Sequence, residues 1–304
     1  MKVYINDFTG LCNKFEALIL AFSIREYFGH EIWLDWPELD SLNIASTRRG
    51  RRGILSKLNS IKMRDCDFTT FSSLYKYRNI HLRGLRGAHP ESLDRQLPKV
   101  IDCIRIKPDL IFAIKKFYSE INKPVIGVHI RRGDFVTASS LSDFDENSHS
   151  AIPDSWLVKS FELLRAKFPD VNFYLSFTGK SSDYKFLLDK FPCHTLDIKS
   201  PYGYKGPGHS SDIHPVADLF ALACCDTIIG SPGSSFSHWA ANCLGNQSTI
   251  VTPKPVNGSF ENIALTARKF GLCRMHVWGS YDWLHSADSI DELPHPGFPS
   301  VDWL

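Results

Sequence analysis

The chain has 304 residues, 43% of them hydrophobic, enough to bury a large core and, by length, about two domains. A net charge of +2 and a pI near 8.1 exclude the lopsided basic balance of a nucleic-acid binder and leave room only for a local basic patch. The eight cysteines form no CxxC pair and no metal-ligand spacing with histidine, no apolar run reaches the ~18 residues of a membrane helix, and the amino terminus lacks a signal-like core. Free thiols, a reducing compartment and a soluble chain are therefore expected.

In chain order, Met1 to Ile5 predicts a strand that exits into the turn residues of NDFTG. From Asn13 the apolar residues Phe15, Leu18, Ile19, Phe22, Tyr27 and Phe28 recur at helical spacing, and Gly29 stops the helix. Glu31 to Trp36 predicts a second strand. This βαβ unit lacks the GxGxxG fingerprint, which counts against a dehydrogenase. Asn13 itself reads equally well as a helix cap. Around Thr47 to Lys62 lies a basic, glycine-interrupted stretch that suits an anionic acceptor or a membrane surface, although such runs are more often simply solvated. His81 to Pro90 shows no strong period. A helix is expected from Pro108, with Leu110, Ile111, Ile114 and Phe117 as its stripe and the domain boundary just beyond it.

Val125 to Asp134, VIGVHIRRGD, turns from a continuous apolar run into two arginines, a glycine and a carboxylate. Such a run predicts a strand of a parallel sheet covered on both faces, with His129 near its carboxyl end and Arg131 and Arg132 emerging where ligands bind in open α/β sheets. Two planar, permanently charged forks suit a diphosphate; the bland reading is a solvated corner tied to Asp134. Thr137 to Asp154 is a polar loop whose Asp143 and Asp145 form a DxD best attributed to chance. A helix from Ser155 to Pro169 and a strand from Val171 to Phe177 continue the doubly wound pattern. Ser200 to Val216 is a Gly-, Pro- and His-rich loop in which His209 and His214 are donor contacts or, more simply, surface histidines. Asp218 opens a helix, where its carboxylate answers the dipole. DTIIG is a buried strand, and SPGSSFSHWAANCLG turns into a helix that offers amides and the hydroxyls of Ser234 and Ser235 to a phosphate. A strand from Thr249 to Pro255, a further helix and an aromatic tail complete the chain.

Three of these stretches resemble one family. HIRRGDF (His129 to Phe135) resembles the HxRRxD signature of the fucosyltransferases, in particular the α1,2 family and its α1,6 and protein O-fucosyl relatives. GLCNKFEALILAFSIREYFG resembles that superfamily's GLGNQ opening, and Asp218 to Ala241 resembles its D-x(7)-D-x-I-I-x-x-S-S-F-S-W-W-G-A region. The chain departs from the pattern at Cys12, which stands for a glycine, at an inserted Pro-Gly, and at His238, which replaces a tryptophan. The resemblance implies an α/β fold of GT-B type: two Rossmann-like domains, 1–122 on the acceptor side and 123–304 binding the nucleotide sugar, with the active cleft between them and the tail strapped across both. It implies GDP-fucose as donor, Asn13 near the reacting sugar, and His129, Arg131, Arg132, Asp134, Ser234, Ser235 and Phe236 around the nucleotide. Asp218 is the position that reads guanine, since a carboxylate can accept from both N1 and the exocyclic amine. Golgi relatives carry an anchor, so its absence implies a bacterial or viral enzyme in the cytoplasm.

The expected chemistry is inverting attack of a glycan hydroxyl on the anomeric carbon of GDP-fucose, with Arg131 and the amides at Ser234 and Ser235 stabilising the departing diphosphate and no metal or other cofactor. Relatives carry Lys or Glu just after the signature, with no counterpart here at Phe135 or Ser139; Asp7, in the loop before the GLCN turn, is the candidate base. The partners are then a nucleotide-sugar donor and a glycan acceptor. Two alternatives stay open, a GT-B enzyme using another nucleotide sugar and a non-catalytic nucleotide- or sugar-binding protein; a kinase or phosphatase finds no P-loop, HxGxH or Cys-x(5)-Arg pattern.

Overall fold

A computed structural model describes residues 1–6, 10–51, 53–65, 68–86, 90–132, 151–202, 212–245, 247–254, 274–280 and 292–304. Its contacts divide the chain into two compact units, Met1–Leu110 and Ile111–Leu304. Each is an α/β unit on a parallel sheet. Among the described residues no helix is long and apolar enough to cross a membrane.

In the first unit β1 (Lys2–Asn6) leads into α1 (Leu11–Phe28) and β2 (Glu31–Asp35), followed by a 3-10 turn at Pro37–Asp40, β3 (Leu42–Ile44) and β4 (Arg48–Arg49). β5 (Ser60–Asp65), α2 (Phe68–Ser73), β6 (Asn79–Arg86), α3 (Pro90–Cys103) and β7 (Ile104–Ile106) complete it. The main sheet runs β4-β2-β1-β6-β5, all parallel, and β3 pairs with β7 as a separate antiparallel ribbon. α1 begins at Leu11 with Gly10 as its N-cap, so Asn13 lies within the first turn of the helix and is not the cap. β6 falls where sequence periodicity was weakest. Its Ile80 and Leu82 nevertheless align with Val3 and Ile5, and this apolar register defines the strand.

The strands of this sheet alternate. Val3, Ile5, Ile32, Leu34, Ile80 and Leu82 form one face, each no more than 1% exposed. The opposite face carries Lys2, Tyr4, Trp33 and His81, with Tyr4 stacked on His81 at 5.0 Å. Parallel sheets normally bury both faces under helices and read as continuous apolar runs. Here the polar face is covered by the loop from β4 to β5: Gly50 lies so close to Trp33 that a Cβ would come within 2.7 Å of the indole, and the Ser56 carbonyl bonds His81 Nε2 at 3.0 Å.

At the carboxyl edge of this sheet, Lys14 Nζ lies 2.8 Å from both carboxylate oxygens of Glu38, and the two side chains are 0% and 1% exposed. The pair joins the first turn of α1 to the exit of β2. Removing one member of a buried pair leaves its countercharge desolvated, so Lys14→Met should cost about 3–5 kcal/mol in urea unfolding, with Lys14→Met/Glu38→Leu recovering most of the loss.

The second unit contains β8 (Val125–Ile130), α5 (Asp154–Lys167), β9 (Asn172–Phe177), α6 (Lys185–Leu188), β10 (Cys193–His194), α7 (Pro215–Leu222), β11 (Thr227–Ile229), α8 (Ser235–His238), β12 (Thr249–Lys254) and β13 (Met275–Ser280), preceded by α4 (Pro108–Ile121). The sheet order is β10-β9-β8-β11-β12-β13, all parallel. All six residues of β8 are buried, as its apolar run requires. Gly127 admits α7 against the strand: a Cβ there would meet Leu222 Cδ1 at 2.7 Å.

Contacts place the division at Leu110/Ile111, where the sequence reading puts it after Asn122. The reason is that the inner face of α4 packs on the second unit. Tyr118 donates its hydroxyl to the Ala221 carbonyl at 2.7 Å, and Phe117 and Tyr118 lie edge-on to Tyr174. The described contacts of the tail also lie within this unit. Gly297 donates to Asp226 and accepts from Val125, Ser300 donates to Cys224, and Trp303 stacks on Phe220.

Candidate nucleotide site

Strand order in the second unit reverses at β8 and β11: the chain runs outward from β8 through β9 to β10, then returns beside β8 and runs through β12 to β13. Connections on opposite faces open a crevice at the carboxyl ends of those two strands, the usual ligand position in open α/β sheets. His129 lies near the end of β8 and Arg131 and Arg132 just beyond it there, and Gly230 to Ser235 follow β11.

A single hydroxyl joins the two exits. Ser231 Oγ donates to the His129 carbonyl at 2.8 Å and accepts from the Arg131 amide at 2.9 Å. The chain then turns at Ser231–Ser234: Pro232 and Gly233 occupy the central positions, Gly233 has φ +73°, and Ser234 N donates to the Ser231 carbonyl at 3.1 Å. These are the residues of a type II turn, so the inserted Pro-Gly is accommodated in the turn itself. Ser234 is the N-cap of α8, and Ser235 and Phe236 form its first turn. α8 passes directly into a π-helical segment, Trp239–Cys243. Gly230 allows this approach, since a Cβ there would come within 3.1 Å of Ser237 Cβ.

His129 is held from two sides. Its Nδ1 lies 2.8 Å from Ser237 Oγ and its ring stacks on Phe236 at 4.8 Å. Burial, assisted by the Arg131 charge, pulls its pKa down to about 3, so the imidazole is neutral at ordinary pH. His238, in place of the family's tryptophan, is also drawn down to about 3 by burial and lies 3.8 Å from Cys243 Sγ.

The arginines diverge. Arg131, partly exposed, continues from the strand end fixed by Ser231. Arg132 turns back: it donates to the Ile152 carbonyl at 2.7 Å and forms an ion pair with Asp154, the first residue of α5. Its contacts are those of a brace, one of the two roles that the sequence leaves open for Arg132 beside a nucleotide contact. Asp154 holds it, a partner that sequence spacing did not single out; Asp134 lies outside the described residues, as do Asp7, Asp143, Asp145 and His209.

Asp218 sits in the first turn of α7, which starts at Pro215, three residues before the sequence reading begins it. His214 is the N-cap: its Nδ1 accepts from Val216 N and Ala217 N, and at 4% exposure it is no surface histidine. The Asp218 carboxylate is 4% exposed and accepts from Tyr174 Oη at 2.5 Å and Ser176 Oγ at 2.8 Å. Burial raises its pKa to about 7 against the lowering effect of those two donors. Each oxygen retains a further lone pair, which an incoming base would have to share. Nothing in the sequence linked Asp218 to Tyr174 and Ser176, which come from a strand about forty residues upstream, though their alternate spacing on β9 puts both on one face. Among the described residues no cluster of three His, Cys, Asp or Glu suits a metal, and the described cysteines are free thiols.

Residues 116–268 match the family model described as glycosyl transferase family 11, half of the chain and the half that holds both motifs at this crevice. The chain belongs to glycosyl transferase family 11. Among solved structures, POFUT1 in complex with GDP is 10% identical over 81% of this chain and 96% of its own, with a TM-score of 0.51. POFUT1 in complex with GDP-fucose is 10% identical over the same shares with a TM-score of 0.50. The fucosyltransferase NodZ from Bradyrhizobium is 15% identical over 80% of this chain and 93% of its own, with a TM-score of 0.48. No curated protein sequence matches. The likeness to POFUT1 agrees with the GT-B arrangement of two Rossmann-like units.

His129 and Asp218 pull stability in opposite directions. The depressed His129 contributes stability that is present above about pH 6.5 and lost as pH falls toward 3. The raised Asp218 contributes stability that is present below about pH 3.8 and lost as pH rises through 7. Asp218→Asn should therefore remove a loss on the order of a few kcal/mol between pH 4 and pH 8, measured as the difference in urea midpoint between those pH values for variant and parent.

Proposed function

We propose that the protein transfers fucose from GDP-fucose to a hydroxyl of a glycan acceptor, with inversion and without a metal. The observation that carries this reading is the fixed origin of Arg131: its backbone is tied through Ser231 to both strand ends at the switch point, so its guanidinium starts from a rigid base at the crevice mouth. Membership of family 11 supports glycosyl transfer, and the POFUT1 structures of like fold, one holding GDP and one GDP-fucose, support the guanosine donor.

In this mechanism the acceptor oxygen attacks the anomeric carbon from the face opposite the diphosphate, the bond to the β-phosphate oxygen breaks, and its electron pair leaves with GDP. Arg131 answers the charge that grows on that oxygen, and the amides of the turn into α8 at Ser234 and Ser235 assist. Neutral His129 serves as a hydrogen-bonding wall rather than a second cation, with Phe236 fixing its ring. Asp218 offers its remaining lone pairs to guanine. Asp7 is the proposed base for the acceptor hydroxyl and Asn13 the proposed sugar contact, both on the acceptor-side unit.

Thermal stabilisation by GDP, UDP and ADP tests the donor: GDP should raise the melting temperature well above the others, and equal shifts would favour another nucleotide sugar. Arg131→Ala should lower transfer about 10²- to 10³-fold while the melting temperature stays unchanged. Turnover should persist in excess EDTA, and its abolition by the chelator would overturn the metal-free reading.

A further inference from the structure

We propose that the loop-covered face of the first unit's sheet docks on an anionic lipid surface. Ile54 and Leu55 stand on a second 3-10 turn, Ile54–Lys57, that crosses this face, and Leu58 is its C-cap; the three are 86%, 77% and 65% exposed. Three aliphatic side chains within five residues, left in water while Ser56 between them is buried against His81, form an outward-facing apolar tip. The surrounding chain is cationic. From Ser41 to Arg64 it holds seven lysines and arginines and no Asp or Glu. Leu55 and Leu58 also wall a groove of about 370 Å³ with Met1, Lys2 and Arg78, at the amino edge of the strands.

The charge extends to the whole unit. Residues 1–110 carry eighteen Lys and Arg against thirteen Asp and Glu, a net +5, and residues 111–304 carry seventeen against twenty, a net −3. Arg48, Arg49 and Arg51 pair with Glu31, Asp40 and Asp35, but the arginine side chains are 63%, 57% and 92% exposed, and pairs so solvated hold little and yield to a stronger anion. Aliphatics projecting from a basic rim match an interface of anionic headgroups over acyl chains. A second copy fits poorly, because the rims would repel. The groove lies at the opposite edge of the sheet from Asn13 and Lys14, so docking here leaves the carboxyl edge of that unit uncovered.

Vesicle co-sedimentation of the full chain tests this without reference to the nucleotide. The protein should pellet with vesicles in which phosphatidylglycerol makes up about a third of the phosphatidylcholine, not with phosphatidylcholine alone, and added salt should weaken the binding. Leu55→Asp/Leu58→Asp and Arg51→Glu/Lys57→Glu should each weaken it roughly tenfold or more with unchanged melting temperature. If the leucine variant melts early, the charge variant decides. Absence of binding by the parent protein, or variants that pellet like the parent, would overturn the proposal. So would a concentration-dependent dimer that Leu55→Asp dissociates, since the patch would then be a contact between copies.

Discussion

The Ser231 hydroxyl is the constraint on which the site depends. Where two parallel strands end at a switch point, their chains depart in different directions and their last amides and carbonyls lose the ladder that would pair them. Ser231 restores both bonds at once, accepting from Arg131 and donating to His129. An unpaired buried amide or carbonyl costs ~1–3 kcal/mol, so the side chain stabilises a geometry in which neither is orphaned. Arg131 thereby inherits the rigidity of the sheet, and a guanidinium with a fixed origin loses less freedom on gripping an anion than one on a mobile loop.

Burial then decides which groups at the crevice carry charge. His129 is neutral because desolvation and the neighbouring arginine both disfavour its proton, while Asp218 is drawn toward neutrality by desolvation against two donors. Further in, burial raises the Cys225 thiol to about 12 and pushes that of Cys224 up as well, so neither contributes a thiolate. Arg132 bonds Asp154 and Ile152 and gives the β8 exit its second anchor.

Much of this was legible in the sequence because hydrophobic periodicity records burial directly. β8 was visible as an apolar run, the turn at Pro232 and Gly233 as turn chemistry, and Arg131 by its place after a buried strand. Side-chain partnerships across elements were not, because chemically identical residues differ only in register. Ser231, Ser234, Ser235 and Ser237 look alike in the chain; one bridges strand ends, one caps a helix and one bonds His129. The pairs Arg132 with Asp154 and Asp218 with Tyr174 join positions more than twenty residues apart, which no local pattern reports. The contact division after Leu110 and the sequence division after Asn122 differ for a related reason: periodicity finds the apolar stripe of α4 but cannot say which core receives it.

The two sheets solve the covering problem differently. In the second unit β8 is apolar on both faces and Gly127 and Gly230 let flanking helices close on the strands. In the first, alternation along β1, β2 and β6 makes one face dry and the other polar, and a polar face does not need a helix. A thin loop suffices, provided its inner side supplies small groups such as Gly50 and the Ser56 carbonyl to fit over Trp33 and His81. A loop only one residue thick has no interior of its own, so the side chains that do not turn toward the sheet must face water whatever their character. Had they been polar, the face would be an ordinary surface. Because Ile54, Leu55 and Leu58 fall at those positions amid lysines and arginines, the same economy of covering that fits the sheet also produces an apolar tip within a cationic field.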